Sequence, residues 1–156
     1  MVTYKPKKIL LVCTGNRCRS PMAEALLKEI LSQKHSKGLV VDSAGTEAEP
    51  GEKATKLAME VMKEEGIDLS ASRSKPISEN LVRESKIILT MTQQQKKDIL
   101  AKYPVAKEKT FTLKEFAGNC EDIDIDDPYG FDLETYRWCA REIKDNLNKI
   151  TQKLRD

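Results

Sequence analysis

Along the chain, short continuous apolar runs alternate with longer stretches in which apolar residues recur every three or four positions. The runs near residues 8–13, 39–43, 86–91 and 109–113 predict strands, and the periodic stretches near 20–35, 53–66 and 92–102 predict helices, with a last helix over 132–154. Strands that alternate with helices form a parallel sheet, because each crossover helix packs back onto the sheet it leaves. The expected fold is therefore α/β: a single three-layer domain with a four-stranded parallel sheet flanked by helices. Thr92 followed by Gln95 has the spacing of a capping box at the start of the third helix, and Pro104 marks its end. In the last helix Leu133, Tyr136, Ala140, Ile143, Leu147, Ile150 and Leu154 recur at steps of three and four, a stripe that reads as a core face. A coiled-coil dimer is the competing reading, but one helix of about three heptads after a globular pattern packs more readily on its own sheet. No internal repeat, low-complexity segment or linker interrupts the pattern.

Length and charge narrow the class. At 156 residues the chain has the size of one domain, residues 1–156, with one core. Its 27 basic and 25 acidic residues leave a net charge of +2 with no long block of one sign, so nucleic acid is not an expected partner. The longest apolar run is about five residues against about 20 for a membrane span, and Met1 to Lys8 does not introduce a signal peptide. No membrane partner and a cytoplasmic location are expected. Four cysteines without a CxxC pair, and a lone His35, do not make a zinc site, and secreted disulfide frameworks are denser in cysteine. No metal is expected. Cys139, on a helix face, reads as core and Cys120 as incidental.

The segment that carries chemistry follows the first strand. Ile9-Leu10-Leu11-Val12 leads into Cys13-Thr14-Gly15-Asn16-Arg17-Cys18-Arg19-Ser20-Pro21, a cysteine and an arginine five residues apart with Ser-Pro opening a helix. A thiol at a helix N-terminus beside an arginine ionises more readily than a free one, which makes Cys13 a candidate nucleophile. The N–H groups of such a loop converge as a nest backed by the helix dipole, and Gly15 lets the backbone turn sharply and approach an anion. Arg19 grips two oxygens of one oxyanion through its planar fork, as a lysine does not. Ser20 is expected at the N-cap with Pro21 at the first helical position, its hydroxyl within reach of the Cys13 sulfur. Thr14, Gly15, Asn16, Arg17, Cys18 and Ser20 are thus expected to form a phosphate site between the first strand and the first helix. A buried cysteine after a strand is ordinary, and C-x5-R alone arises by chance; the extended match in a strand-loop-helix context is what makes the loop specific.

Transfer of a phosphoryl group to a cysteine also requires a proton for the departing atom, which a nearby carboxylic acid supplies before activating water. Asp122, Asp124, Asp126 and Asp127 crowd one acidic stretch, and spacing does not choose among them. Taken alone, the stretch reads as a solvated loop or a weak cation site, without the alternating ligands and terminal Glu of an EF-hand loop.

The segment from Cys13 to Ala25, CTGNRCRSPMAEA, is similar to the active-site signature of the low-molecular-weight protein-tyrosine phosphatase family, which includes bacterial protein-arginine phosphatases. Ile125-Asp126-Asp127-Pro128-Tyr129-Gly130, followed by Asp132-Leu133-Glu134-Thr135-Tyr136, resembles that family's Asp-Pro acid loop and the helix after it. The resemblance spans essentially the whole chain. It implies Cys13 as nucleophile, Arg19 as phosphate clamp, Asp127 as general acid, a phosphocysteine intermediate and no cofactor. It implies phosphorylated proteins as substrates and phosphate as product and inhibitor. It also implies that Asn16 and Ser43 brace the loop and that Cys18 pairs with Cys13 in a protective disulfide. From the residues alone, Cys18 is equally a packing residue and Asn16 a residue tolerant of left-handed backbone. The family's network often includes a histidine in the stretch matching Ser70 to Ser74, where this chain has Ser72 or a neighbour.

Thr14 bears on substrate choice. In the family's tyrosine phosphatases the residue after the nucleophile is usually aliphatic, whereas Thr14 resembles the arginine phosphatases. A hydroxyl there orients a polar guanidine group or a water and removes apolar surface from an aromatic ring; a β-branched exchange without effect is the alternative. Tyr129 stacks on a phenyl ring or a guanidinium alike. With one adjacent aromatic where many tyrosine-specific relatives have two, the reading leans to phosphoarginine, with phosphotyrosine hydrolysis retained. Two other classes compete. An arsenate reductase needs two further relay cysteines, and Cys120 and Cys139 are nineteen residues apart. A non-catalytic phosphoprotein-binding module needs neither a thiol nor an acid, against the joint presence of Cys13, Arg19 and Asp127.

Overall fold

The strand that leads into the loop, β1 (Lys7–Cys13), is buried from Ile9 to Cys13, as a strand covered on both faces must be. The computed structural model describes residues 7–155. β2 (Leu39–Gly45) and β3 (Ser85–Thr90) pair with β1 in parallel, and β4 (Thr110–Thr112) pairs with β3, giving the order β2-β1-β3-β4. Side-chain alternation along β1 builds two cores. Ile9 and Leu11 pack with residues of α1 (Arg19–Gln33), α2 (Lys56–Glu64) and α6 (Leu133–Arg155). Leu10 and Val12 pack on the other face with Val82 of α3 (Glu79–Glu84) and Ile99 of α4 (Gln93–Lys102). The expected α/β three-layer arrangement is the one observed. The α6 stripe is a core face: Tyr136, Ala140, Ile143, Leu147, Ile150 and Leu154 are buried, and α6 packs against α1 of the same chain.

Element boundaries differ from the periodicity where side chains cap the backbone. The helix expected from residue 53 begins at Lys56, because Thr55 Oγ1 accepts from Ala58 N at 3.3 Å. The fourth strand stops at Thr112, which forms a capping box with Glu115 and starts the short helix α5 (Leu113–Phe116). α5 and α3 were not expected; α3 begins behind Ser78, whose hydroxyl accepts from Leu81 N at 3.2 Å. The expected box between Thr92 and Gln95 is present at the start of α4.

Register brings Cys13 opposite Gly45, and Val12 opposite Thr90, at the carboxyl edge of the sheet. Parallel sheets bind ligands in the crevice at that edge. Gly45 is required there: a Cβ on it would lie 2.5 Å from Thr14 O, 2.8 Å from Ala48 Cβ and 3.0 Å from Asn16 N.

Candidate active site

The loop from Cys13 to Arg19 is held from outside by its carbonyls. Cys13 O, Thr14 O and Arg17 O accept from the N–H groups of Thr46, Glu47 and Thr55, each at 2.9 Å. A planar peptide points its C=O and the following N–H in opposite directions, so the N–H groups of Thr14, Gly15 and Cys18 are turned to the inner side of the loop. Ser74 secures the outer segment: its N–H donates to Glu52 O at 2.8 Å, its carbonyl accepts from Gly51 N at 2.8 Å, and its hydroxyl donates to Glu49 O. The sharp turn itself comes from Asn16, at φ 55°, and not from Gly15, which lies outside the left-handed region. A Cβ at Gly15 would meet no protein atom within 4 Å, so neither turn geometry nor packing demands a glycine there.

Asn16 fulfils both readings of its role. Its short polar side chain tolerates the left-handed backbone, and its amide braces the loop. Nδ2 donates to Ser20 Oγ at 2.8 Å and Ser43 Oγ at 3.0 Å, while Oδ1 accepts from Lys75 N at 3.0 Å. Ser43 passes the network to Glu24, donating to Oε1 at 2.6 Å. Of the stretch from Ser70 to Ser74, where Ser72 or a neighbour was expected in place of a histidine, the neighbour Ser74 makes the bracing bonds and Ser72 lines a cavity of about 610 Å³ beside Ser43 and Glu24.

Three donor groups surround the Cys13 sulfur. Ser20 Oγ lies 2.9 Å away, Asn16 N 3.3 Å and Ser20 N 3.4 Å. Ser20 Oγ also accepts from Asn16 Nδ2, which leaves its own proton available to a Cys13 thiolate. Ser20 is not the N-cap and Pro21 is not the first helical residue: α1 starts at Arg19, with Cys18 in the cap position and no side-chain cap bond. Burial of the first turn gives Ser20 the sulfur as partner instead of a helix N–H.

Arg19 is 4 % exposed and reaches across to the acidic stretch. Nη1 donates to Ile125 O at 2.8 Å, and Nη2 lies 3.6 Å from Asp127 Oδ2. Nε is buried without a protein partner, a donor that an oxyanion satisfies. Among the four aspartates, geometry now separates Asp127. Asp122 pairs with Lys114 at 2.9 Å, Asp124 accepts from Gln93 N at 2.7 Å, and Asp126, exposed like Asp127, makes no ion pair with Arg19. Asp127 Oδ1 accepts from Tyr129 N at 3.1 Å and from the Cys18 thiol at 3.5 Å. Burial, together with the Cys13 and Asp127 charges, pushes the Cys18 thiol far above its ordinary range, so it remains a donor. Cys13 and Cys18 are both free thiols. Cys139, buried as expected, is pushed up to about 12 by desolvation, and its thiol donates to Asp126 O at 3.8 Å.

Not every expected residue faces the site with its side chain. The Arg17 guanidinium turns to Lys53 O at 2.9 Å and to Glu52 at 3.4 Å, leaving only its backbone in the loop. Tyr129 is exposed beside Asp127, and Phe131, two residues on, is a second exposed aromatic. Glu24 and Gln95 escaped the sequence reading. Glu24 carries no local signal, and Gln95 signalled only a cap, although its Nε2 donates to Thr14 Oγ1 at 3.0 Å.

The family model described as low molecular weight phosphotyrosine protein phosphatase matches residues 8–156. A protein-arginine-phosphatase of Geobacillus stearothermophilus is 42 % identical over 96 % of this chain and 97 % of its own length. Among solved structures, the YwlE arginine phosphatase, as a Cys-to-Ser mutant with a phosphorylated active site serine, superposes with a TM-score of 0.90 at 37 % identity, over 94 % of this chain and 95 % of that one. A low molecular weight protein tyrosine phosphatase from T. tengcongensis gives 0.89 at 38 % identity, over 94 % and 99 %. The chain belongs to the low molecular weight protein-tyrosine phosphatase family. It is a cysteine-dependent phosphatase.

Proposed function

We propose that the chain hydrolyses phosphorylated protein side chains by two displacements at Cys13, with phosphoarginine preferred over phosphotyrosine. The observation that carries the reaction is one loop that begins at the donor-ringed Cys13 sulfur and ends at Arg19, whose buried Nε has no protein partner. The phosphorylated serine in the YwlE mutant supports Cys13 as the atom that takes the phosphoryl group.

In the first step Cys13 Sγ attacks phosphorus in line, the bond from phosphorus to the leaving nitrogen or oxygen breaks, and Asp127 gives that atom its proton. The inward N–H groups and the Arg19 fork hold the equatorial oxygens and supply the positive field that metal ions supply in other phosphoryl-transfer sites. In the second step Asp127 takes a proton from water, the water oxygen attacks phosphorus, and the sulfur–phosphorus bond breaks. Phosphate leaves, and competes for the same donors as an inhibitor. Thr14 supports the phosphoarginine preference, since its hydroxyl stands where an aliphatic wall favours a phenyl ring.

All four cysteines are free, which suits a cytoplasmic enzyme whose nucleophile stays reduced. Among the described residues no helix is long and apolar enough to cross a membrane. We read residues 1–156 as one phosphatase domain acting on phosphoproteins, not on nucleic acid or membranes.

The test is phosphate release from two matched peptides, one carrying phosphoarginine and one phosphotyrosine, by the wild type and by Thr14→Ile. A phosphoarginine preference that weakens or reverses in the variant is expected. A phosphotyrosine preference in both proteins would overturn the substrate assignment while leaving the two-step reaction intact.

A further inference from the structure

Gln95 belongs to the cap of α4, yet its side chain also reaches the residue next to the nucleophile. It is 2 % exposed, and Oε1 accepts from Met91 N and Thr92 N, both at 2.9 Å. Two backbone donors on one atom determine which end of the amide is oxygen. The other end is an NH₂ group, which only donates, and it lies 3.0 Å from Thr14 Oγ1. One lone pair of the Thr14 hydroxyl is therefore occupied from behind. Its proton points elsewhere, and one lone pair remains.

We propose that Gln95 is a positioning residue that locks the Thr14 hydroxyl as a paired donor and acceptor beside Cys13, and so sets the preference for phosphoguanidines over phosphophenols. The inference rests on the phosphoarginine reading above. A phosphoguanidine satisfies the locked hydroxyl: a guanidine N–H donates to the free lone pair, and the hydroxyl proton goes to a phosphoryl oxygen. A phenyl ring has no N–H to offer, so the free lone pair is desolvated without a partner. Sites built to pair with a polar substrate group reject the analogue that lacks it. A threonine free to rotate escapes this penalty by turning its methyl group to the ring. The lock matters because it forbids that rotation. It also makes positions 14 and 95 interdependent, since an aliphatic residue at 14 strands the buried Gln95 NH₂.

The test is a double-mutant cycle read as the ratio of kcat/KM for the phosphoarginine peptide to that for the phosphotyrosine peptide. Gln95→Leu is expected to lower the ratio about tenfold, the worth of one net hydrogen bond, because a Thr14 free to rotate raises kcat/KM for phosphotyrosine while KM for phosphoarginine rises. In a Thr14→Val background the same change is expected to leave the ratio unmoved. Gln95→Glu keeps the cap acceptor and still pins Thr14, now by accepting its proton, so it is expected to retain a phosphoarginine preference. A role confined to capping α4 would lower both substrates together. An unchanged ratio in Gln95→Leu, or the same shift in both backgrounds, overturns the proposal. A wild type without phosphoarginine preference overturns the substrate reading and this selectivity with it. Non-additive KM values in that case would still establish Gln95 as the residue that positions Thr14.

Discussion

Ser20 Oγ stands 2.9 Å from Cys13 Sγ and 2.8 Å from Asn16 Nδ2, which leaves the serine proton free to go to the sulfur when that is a thiolate. That proton holds the sulfur both as attacking group and as leaving group when phosphocysteine is hydrolysed. Ser20→Ala is expected to lower kcat about 10- to 100-fold, the range for a hydrogen bond to a charged atom. Thermal unfolding should change little, because Asn16 Nδ2 keeps Ser43. Steady-state kinetics beside a melting curve checks both.

Gly45 predicts a defect at a distance from the reacting atoms. Any Cβ there would press on Thr14 O at 2.5 Å, against backbone that cannot rotate away. Gly45→Ala is expected to displace the loop and lower kcat/KM about 100-fold, as misplacement of about 1 Å does in well-ordered sites. Phosphate protection against thermal unfolding should weaken in parallel.

Asp127 and Asp126 are neighbours with different expected effects. Asp127→Asn removes the carboxyl 3.6 Å from Arg19 Nη2, and kcat on phosphopeptides should fall about 10²- to 10³-fold. The loss should shrink on 4-nitrophenyl phosphate, whose leaving group needs little protonation. Asp126→Asn should leave both rates near the wild-type value. Equal losses from the two variants would remove Asp127 from its role.

Alkaline conditions should destabilise the fold. Burial raises Cys139 from 9.0 to about 12, and it raises Cys18 and Tyr136 in the same direction. Above pH 9 the unfolded chain therefore binds fewer protons than the folded one, so stability falls as pH rises toward 12. One such group contributes at most about 1.4 kcal/mol per pH unit. Melting temperatures from pH 8 to 11 should decline, and Cys139→Ala should flatten that decline.

The sheet, its helices and the loop were legible because they rest on local facts: a continuous apolar strand, a three-and-four stripe in α6, and a nucleophile, arginine and helix start within nine residues. The boundaries that failed, at Thr55 and Thr112, failed where a single hydroxyl outbids periodicity. Asn16 and not Gly15 makes the sharp turn, because the sequence shows which residues tolerate a left-handed turn and not which one takes it.

Four adjacent carboxylates look alike along the chain, and the resemblance chose Asp127 before any distance did. Residue order by itself determined the fold class and singled out the loop from Cys13 to Arg19 as the candidate phosphate site, since short-range spacing carries these. The tertiary structure decided what depends on separation in space: Ile125 brought to Arg19, Lys75 to Asn16, Ser74 to Glu49, and Gln95 to Thr14. Hydrogen bonds act over about 3 Å, so a pair 81 positions apart along the chain becomes one unit only when the sheet closes and aligns it.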